Sequence, residues 1–232
     1  MIGPAMKNCK TLEDFMLPER VERLRQVAAW RTRNLILVLD GVHDPHNLSA
    51  VVRSCDAFGL LDLHVIESNA RFRVSRKISQ GAEKWLDIHR WPEPKSCAQQ
   101  LHAQGFELWL ADSRPDSLPG DQLPWDKRLG LVFGNEHAGA SAQMREQATG
   151  CFHIPMHGFA ESFNISVAVG IGLALAQRGR QAQLGRHGDM SSDEIDQLVE
   201  DWQRRSVRAS DLILRRLAGQ DGQELSDDTL GG

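Results

Sequence analysis

Three stretches of this 232-residue chain place polar side chains directly after apolar runs. The first, 40-DGVHDPHNLSAVVRSCDAFG-59, sets Asn47 and Arg53 six residues apart, somewhat under two helical turns, so both lie near one exposed helix edge. A guanidinium in that setting can clamp a phosphate or support an oxyanion; the same pair also reads as an N-cap and a solvated charge. In 131-LVFGNEHAG-139, Gly134 permits close backbone approach. There Glu136 offers a carboxylate to a cationic or hydroxylic group, or closes a surface turn. In 154-IPMHGFAESFNISVAVGIGLALA-176, Ser162, Asn164 and Ser166 alternate at a helix start, where capping is the default role. The small residues Gly170, Gly172, Ala174 and Ala176 that follow allow tight helix packing.

Other chemistries find no motif. The chain has no GxxxxGK[ST], no GxGxxG at a strand-to-helix turn and no GxSxG elbow. Cys9, Cys55, Cys97 and Cys151 form no CxxC pair, and Cys55 and Cys151 sit in apolar patterns as buried free thiols. His43 and His46 occupy a proline-containing loop without a second ligand pair, so a turn or helix-start role is expected there and no metal.

The elements that must position these residues follow from periodicity. Leu35–Leu39 is a continuous apolar run ended by Asp40-Gly41, the mark of a buried strand. Asn47 is expected to cap a helix beginning at Leu48, with Leu48, Val51, Val52, Cys55 and Phe58 on one side and Gly59 as its stop. Further strands are expected at 63–66, near 85–88, at 106–111, 129–133 and 152–154. Helices are expected around 96–104, near 141–148 and from about 164 to 183. Strands alternating with helices predict an α/β fold: a mostly parallel sheet with helices on both faces, binding ligands at the strands' C-terminal ends.

This gives an α/β domain over 34–184, preceded by a basic N-terminal helical extension over 1–33. That extension holds Lys7, Lys10, Arg20, Arg23, Arg25, Arg31 and Arg33 against four acidic residues. A linker, Gly185-Arg186-His187-Gly188, and an amphipathic helix with Ile195, Leu198, Val199 and Trp202 on its apolar side occupy 185–217. Residues 218–232, with four acidic residues and no basic one, are expected to be a disordered tail. A second basic stretch, 67–84, carries Arg71, Arg73, Arg76, Lys77 and Lys84 against Glu67 and Glu83.

With 31 acidic and 27 basic residues the formal net charge is −4, which excludes a bulk polycation but permits local basic surfaces. The first residues lack the apolar core of a signal peptide, and no uncharged apolar run reaches the ~18 residues of a membrane span. Scattered cysteines suit a reducing compartment, so a soluble cytoplasmic protein without membrane contact is expected.

Taken together and in this order, the three segments resemble the SPOUT superfamily, specifically the SpoU–TrmH branch of RNA 2′-O-ribose methyltransferases. The likeness spans about residues 20–185. Its first motif, HDPHNLSAVVRSCDA, is most similar to that of members acting on guanosine-18 of tRNA. The resemblance implies a C-terminal trefoil knot, a homodimer, and S-adenosylmethionine bound in the knot. It assigns cofactor contacts to Phe133, Gly134, Asn135, Gly139, Ile154, Met156, Ser162 and Asn164, with Ile154 and Met156 flanking the adenine. It makes Arg53 the central catalytic residue, supported by Asn47, Glu136, Ser162 and Asn164. RNA, with tRNA expected, would contact Arg20, Arg23, Arg178 and Arg180.

The chain departs from the pattern at Asp44, where lysine is common, and at Glu161-Ser162-Phe163, where glutamine and leucine are usual. It also sets Gly179 between two arginines. The competing expectations are the same chemistry on ribosomal RNA or at another tRNA position, and a non-catalytic RNA-binding or assembly factor on the same fold.

Overall fold

The apolar run Leu35–Asp40 forms β1, buried along its whole length near the middle of a seven-stranded sheet. Sheet order is β3 (Asp87–Trp91), β2 (Asp62–Ile66), β1, β6 (Leu129–Gly134), β4 (Glu107–Ala111), β7 (Gly150–His153) and β5 (Leu118–Pro119). Every pairing is parallel. The computed structural model describes residues 11–67, 74–135 and 138–217. Arg71, Arg73, Cys9 and the acidic 218–232 stretch therefore lie outside the described residues.

Strand alternation divides the core between the two faces of the sheet. Leu35, Leu37 and Leu39 pack with α2 (Pro45–Ala57) and α6 (Ile165–Leu184), through Val51, Val52 and Cys55 on one helix and Val169, Leu173 and Ala176 on the other. Ile36 and Val38 point the opposite way, toward Cys97, Ala98 and Leu101 of α4 (Pro94–Ala103) and Met144 of α5 (Ala142–Gln147). A short helix, α3 (Arg76–Ser79), precedes β3.

Several boundaries differ from the sequence expectation. Helix α2 begins at Pro45, capped by Asp44, whose carboxylate accepts the His46 N–H at 2.7 Å. Proline is preorganised for the first helical position, so the helix starts three residues earlier than an Asn47 cap would allow. The third strand runs over Asp87–Trp91, because Ala82–Trp85 are taken up by a 3₁₀ turn. The loop after β4 contains an extra two-residue strand, β5.

Contacts divide the chain into two units, Trp30–Asp189 and Met1–Ala29 with Met190–Gly232. The first holds the whole sheet. The expected linker at 185–188 belongs to it. His187 is buried and its Nε2–H donates to the Phe58 carbonyl at 2.7 Å. Asp189 accepts from Thr32 Oγ1 at 2.8 Å and Asn34 Nδ2 at 2.9 Å. Arg31, read as part of the basic extension, is also buried there and paired with Asp56.

In the second unit, α1 (Pro18–Ala28) packs on α7 (Ser192–Ser206), burying Leu24 and Ala28 with Leu198, Val199 and Trp202. Arg25 bridges Glu13 at 3.0 Å and Asp196 at 2.8 Å. A capping box between Ser191 and Glu194 starts α7. The single C-terminal helix expected to run to residue 217 is broken: Val207 is extended, Ala209 has φ 61°, and helix resumes over 210–217.

Candidate active site

The C-terminal ends of the adjacent strands β6, β4 and β7 frame a cavity of about 450 Å³. Seven of the eight residues expected to hold a cofactor line it: Phe133, Gly134, Asn135, Gly139, Ile154, Met156 and Ser162. The last residue of β6, Gly134, has no room for a side chain. A Cβ there would sit 2.1 Å from the Ala140 nitrogen and 2.2 Å from the Gly139 carbonyl carbon, both main-chain atoms. Asn135 and Gly139 then exchange two main-chain hydrogen bonds of 2.9 Å, closing the loop into a clasp. Asn135 Nδ2 donates to the Gly41 carbonyl at 3.1 Å, anchoring that clasp to the end of β1. Gly139 itself adopts φ 68°, a conformation that favours glycine. Glu136 lies outside the described residues.

Further residues of the site were not read from the sequence. Arg145 of α5 pairs with Asp112, which also accepts from Arg114 Nε at 2.9 Å, and all three belong to the wall or its support. Arg145 Nε additionally donates to the Ala140 carbonyl at 3.0 Å, so this arginine braces the clasp. Buried Asp40 accepts the Ser141 N–H at 2.7 Å, tying the end of β1 to the start of α5. Glu161 and Phe163 line the cavity. The available signal was position: Asp40 and Asp112 each fall at the C-terminal end of an apolar strand, where such folds bind ligands.

Asn164 is the N-cap of α6, accepting the Ser166 N–H at 2.9 Å. Its Nδ2 donates to Asn47 Oδ1 at 3.0 Å. Because Asp44 caps α2, the Asn47 carboxamide is released to receive this bond, and two helix starts are joined beside the cavity rather than inside it. Asn164 is therefore not among the cavity-lining residues. Arg53 is exposed on α2, about 9 Å of helix rise beyond Asn47, and does not line the cavity. Among the described residues its guanidinium has no hydrogen-bond or ion-pair partner.

Of the four arginines expected to meet RNA, Arg20 and Arg23 are exposed on α1 and Arg178 is exposed on α6. Arg180 is a correction. It is 1% exposed, paired with Asp189, and donates to the main-chain oxygens of His187 and Trp125 at 3.3–3.4 Å. Its charge is consumed inside the fold and is unavailable to RNA. Gly179 beside it is required by packing, since a Cβ would fall 1.9 Å from the Trp125 ring.

The thiols offer no nucleophile here. Burial pushes both Cys55 and Cys97 up to about 12, so neither forms thiolate near neutral pH. Cys151, expected to be buried, is only half-buried, and its thiol too is raised, first by desolvation. Among the described residues no group of three or more His, Cys, Asp or Glu is placed to hold a metal, and no helix is long and apolar enough to cross a membrane.

A parallel α/β sheet with a pocket under a glycine-bounded clasp at its C-terminal strand ends defines a cofactor-binding enzyme scaffold. Residues 34–174 match the model of the SpoU rRNA Methylase family. The chain is 33% identical over 198 residues to a tRNA (guanosine(18)-2′-O)-methyltransferase of Aquifex aeolicus, covering 84% of this chain and 94% of that protein. Its structure is similar to the crystal structure of an A. aeolicus TrmH/SpoU tRNA modifying enzyme (TM-score 0.75, 34% identity, 82% of this chain and 98% of the other). It is also similar to the SpoU methyltransferase AviRb from Streptomyces viridochromogenes in complex with AdoMet (TM-score 0.58, 26% identity, 64% and 60%). The chain belongs to the SpoU rRNA methylase family, and so to the S-adenosylmethionine-dependent RNA 2′-O-methyltransferases.

The cavity fits that cofactor. Its volume falls within the ~300–1,000 Å³ of small-molecule sites. Phe133, Phe152, Ile154 and Met156 give it an apolar wall for a flat base, and the clasp presents main-chain groups. Glu161 adds a carboxylate, of a sign suited to a sulfonium.

Proposed function

We propose that this protein methylates the 2′-hydroxyl of guanosine-18 in the D-loop of tRNA. The observation that carries this reading is the likeness to a guanosine-18 methyltransferase over 84% of this chain, together with a pocket lined by seven of the eight residues expected to hold the cofactor. When bound, S-adenosylmethionine supplies a methyl group already activated by its sulfonium.

The chain's own residues must do the rest. Phe133, Ile154 and Met156 hold the adenine, and the Asn135–Gly139 clasp and Ser162 hold the polar parts. A ribose hydroxyl is a weak nucleophile, so it must be aligned with the methyl–sulfur bond and its developing negative charge met by a cation. Arg53 is the cation in this proposal. It clamps the phosphate next to the target ribose and faces the 2′-oxygen. A guanidinium does not give up its proton in a protein and so cannot be the base; a phosphate oxygen it holds takes the proton. Asn47, tied to Asn164, sets the start of the helix that carries Arg53. Glu136, Ser162 and Asn164 hold the loops and the target nucleotide.

The protein also works as a homodimer in this proposal. On α6 an apolar stripe faces outward: Val167 is 48% exposed and Gly170 opens onto empty space. Two copies meeting along it would bury that stripe. A trefoil knot in the C-terminal part of the domain and a cytoplasmic location, in keeping with its free thiols, complete the reading.

The test is methylation of unmodified tRNA transcripts with S-adenosylmethionine, followed by nucleoside mass spectrometry. We expect 2′-O-methylguanosine at position 18 and none in a transcript with that guanosine replaced. Methylation of ribosomal RNA alone would overturn the substrate. Cofactor binding without transfer to any RNA would leave an assembly factor.

A further inference from the structure

A second cleft, of about 390 Å³, opens at the other end of the sheet. Its walls come from strand beginnings: Arg33 precedes β1, Asp62 starts β2 and Arg128 precedes β6. Register brings His64 of β2 directly opposite His89 of β3, and their rings stack at 4.5 Å with 16° between planes. Trp91 continues the row, 6.0 Å from His64. The apolar packing under α4 gives way here to rings with polar edges, which is a poor way to build a core and a good way to build a floor.

The polar groups are fixed in direction. The Trp91 Nε1–H donates to His64 Nδ1 at 3.0 Å, which leaves the proton of a neutral imidazole on Nε2. Burial first, then the neighbouring His89 charge, lowers His64 to about 4, so it is neutral at physiological pH. His64 lines the cleft but is only 6% exposed, and its Nε2–H has no partner among the described residues. Arg128 lies 4.4 Å over the Phe106 ring and is held by the Gln104 carbonyl at 2.9 Å. Arg33 is held by Asp62 at 3.1 Å and Asp87 at 3.3 Å. Arg33 is thus answered by two carboxylates, whereas Arg128 has no carboxylate partner among the described residues and is the cation the cleft offers to an anion.

We propose that this cleft binds a nucleotide, with its base on the imidazole–indole row, an acceptor on that base facing His64 Nε2–H, and its phosphate on Arg128. Phosphate alone would leave the rings unused, and a neutral ring would leave Arg128 unused. The site is at the opposite end of the strands from the cofactor cavity and does not depend on the methyl-transfer reading. The nucleotide is either free or part of an RNA strand, and the test separates the two.

Full-length protein is saturated with S-adenosylmethionine, so that the first cavity is filled, and titrated with AMP or GMP by calorimetry. Inorganic phosphate and adenosine serve as half-ligands, and a short single-stranded oligoribonucleotide as the RNA. A free-nucleotide site predicts saturable mononucleotide binding, at least about tenfold tighter than either half-ligand. It also predicts about tenfold weakening in His89→Ala and in Arg128→Ala, the scale of one lost stacking or ionic contact. His89→Phe keeps a ring and should retain most of the affinity. If AMP and GMP do not bind but the oligonucleotide does, and the same two substitutions weaken it, the ligand is a nucleotide within RNA. Phosphate binding as tightly as AMP, or affinities indifferent to both substitutions, would overturn the proposal. S-adenosylmethionine affinity, unchanged in the variants, certifies that they are folded.

Discussion

At the C-terminal ends of β4, β6 and β7 the cavity depends on main chain: a strand stopped at Gly134, a clasp closed by two backbone hydrogen bonds, and helix starts fixed by caps. At the N-terminal ends of β1, β2 and β6 the cleft depends on side chains: stacked rings, Arg33 held by two carboxylates and Arg128 laid over the Phe106 ring. The contrast has a physical source. Loops leaving strand C-termini are free to fold over a ligand, whereas strand beginnings present whatever side chains the register sets side by side. Backbone sites are broken by adding a methyl group, and side-chain sites by changing charge.

The largest expected effect removes the cation assigned to the first site. Arg53→Ala should lower single-turnover methyl transfer by about 100- to 1,000-fold, the cost of losing one oxyanion-stabilising group. Cofactor affinity by calorimetry should be unchanged, because Arg53 does not line the cavity. Equal loss of both would make Arg53 structural and erase the division between cofactor wall and catalytic cation.

Protonation should distinguish the ends next. A His64 pKa near 4 means that the unfolded chain binds a proton at pH 6.5 and below while the folded one does not. Stability is therefore lost as pH falls from 6.5 to 4, by about 3 kcal/mol from this group. The hydrogen bond to Asp62 raises His89, whose contribution has the opposite sign: it is present at low pH and lost as pH rises through its folded value. That same bond and the Arg33 charge outweigh burial at Asp62 and hold its carboxyl low. Urea denaturation across this range should show a shallower acid loss in His64→Gln than in the unaltered protein. Identical slopes would mean that the imidazole row is not held neutral at its centre.

A smaller loss is expected from Gly134→Ala, whose new methyl meets main chain and must push the clasp aside. Overpacking of this kind costs about 1–3 kcal/mol. It should appear as weaker cofactor binding together with a lower melting temperature, leaving the second cleft's ligands unaffected. Smallest is Asn47→Ala, which deletes the bond from Asn164 at a cost of about 0.5–1.5 kcal/mol. A reduced turnover with unchanged cofactor affinity would confirm that this bond positions α2 rather than the cofactor.

The first site was largely legible because its signals are local. An apolar run followed by Gly134 or by Asp40-Gly41 announces a strand end in a dozen residues. Errors came where two local signals competed or where burial decided. Asn47 and Asp44 are both good caps, and only the adjacent Pro45 favours the earlier start. Arg180 looked like Arg178, yet Asp189, nine residues on, draws it inside. The C-terminal helix breaks at Ala209 with neither glycine nor proline to mark it. The second cleft was invisible for a different reason. His64 and His89 are twenty-five positions apart, and nothing but the β2–β3 register makes them neighbours.

Asp189 carries a consequence for how this protein can be rearranged. Its carboxylate accepts from Thr32, Asn34 and Arg180, and its N–H donates to the Arg31 carbonyl at 3.3 Å. The opening residues of the sheet unit thus meet its last residue, Asp189, so the two ends of the unit adjoin. Units with adjoining ends tolerate circular permutation. A gene that joined residue 189 to residue 30 by a short bridge and opened the chain at an exposed turn would preserve the strand order on which both pockets rest.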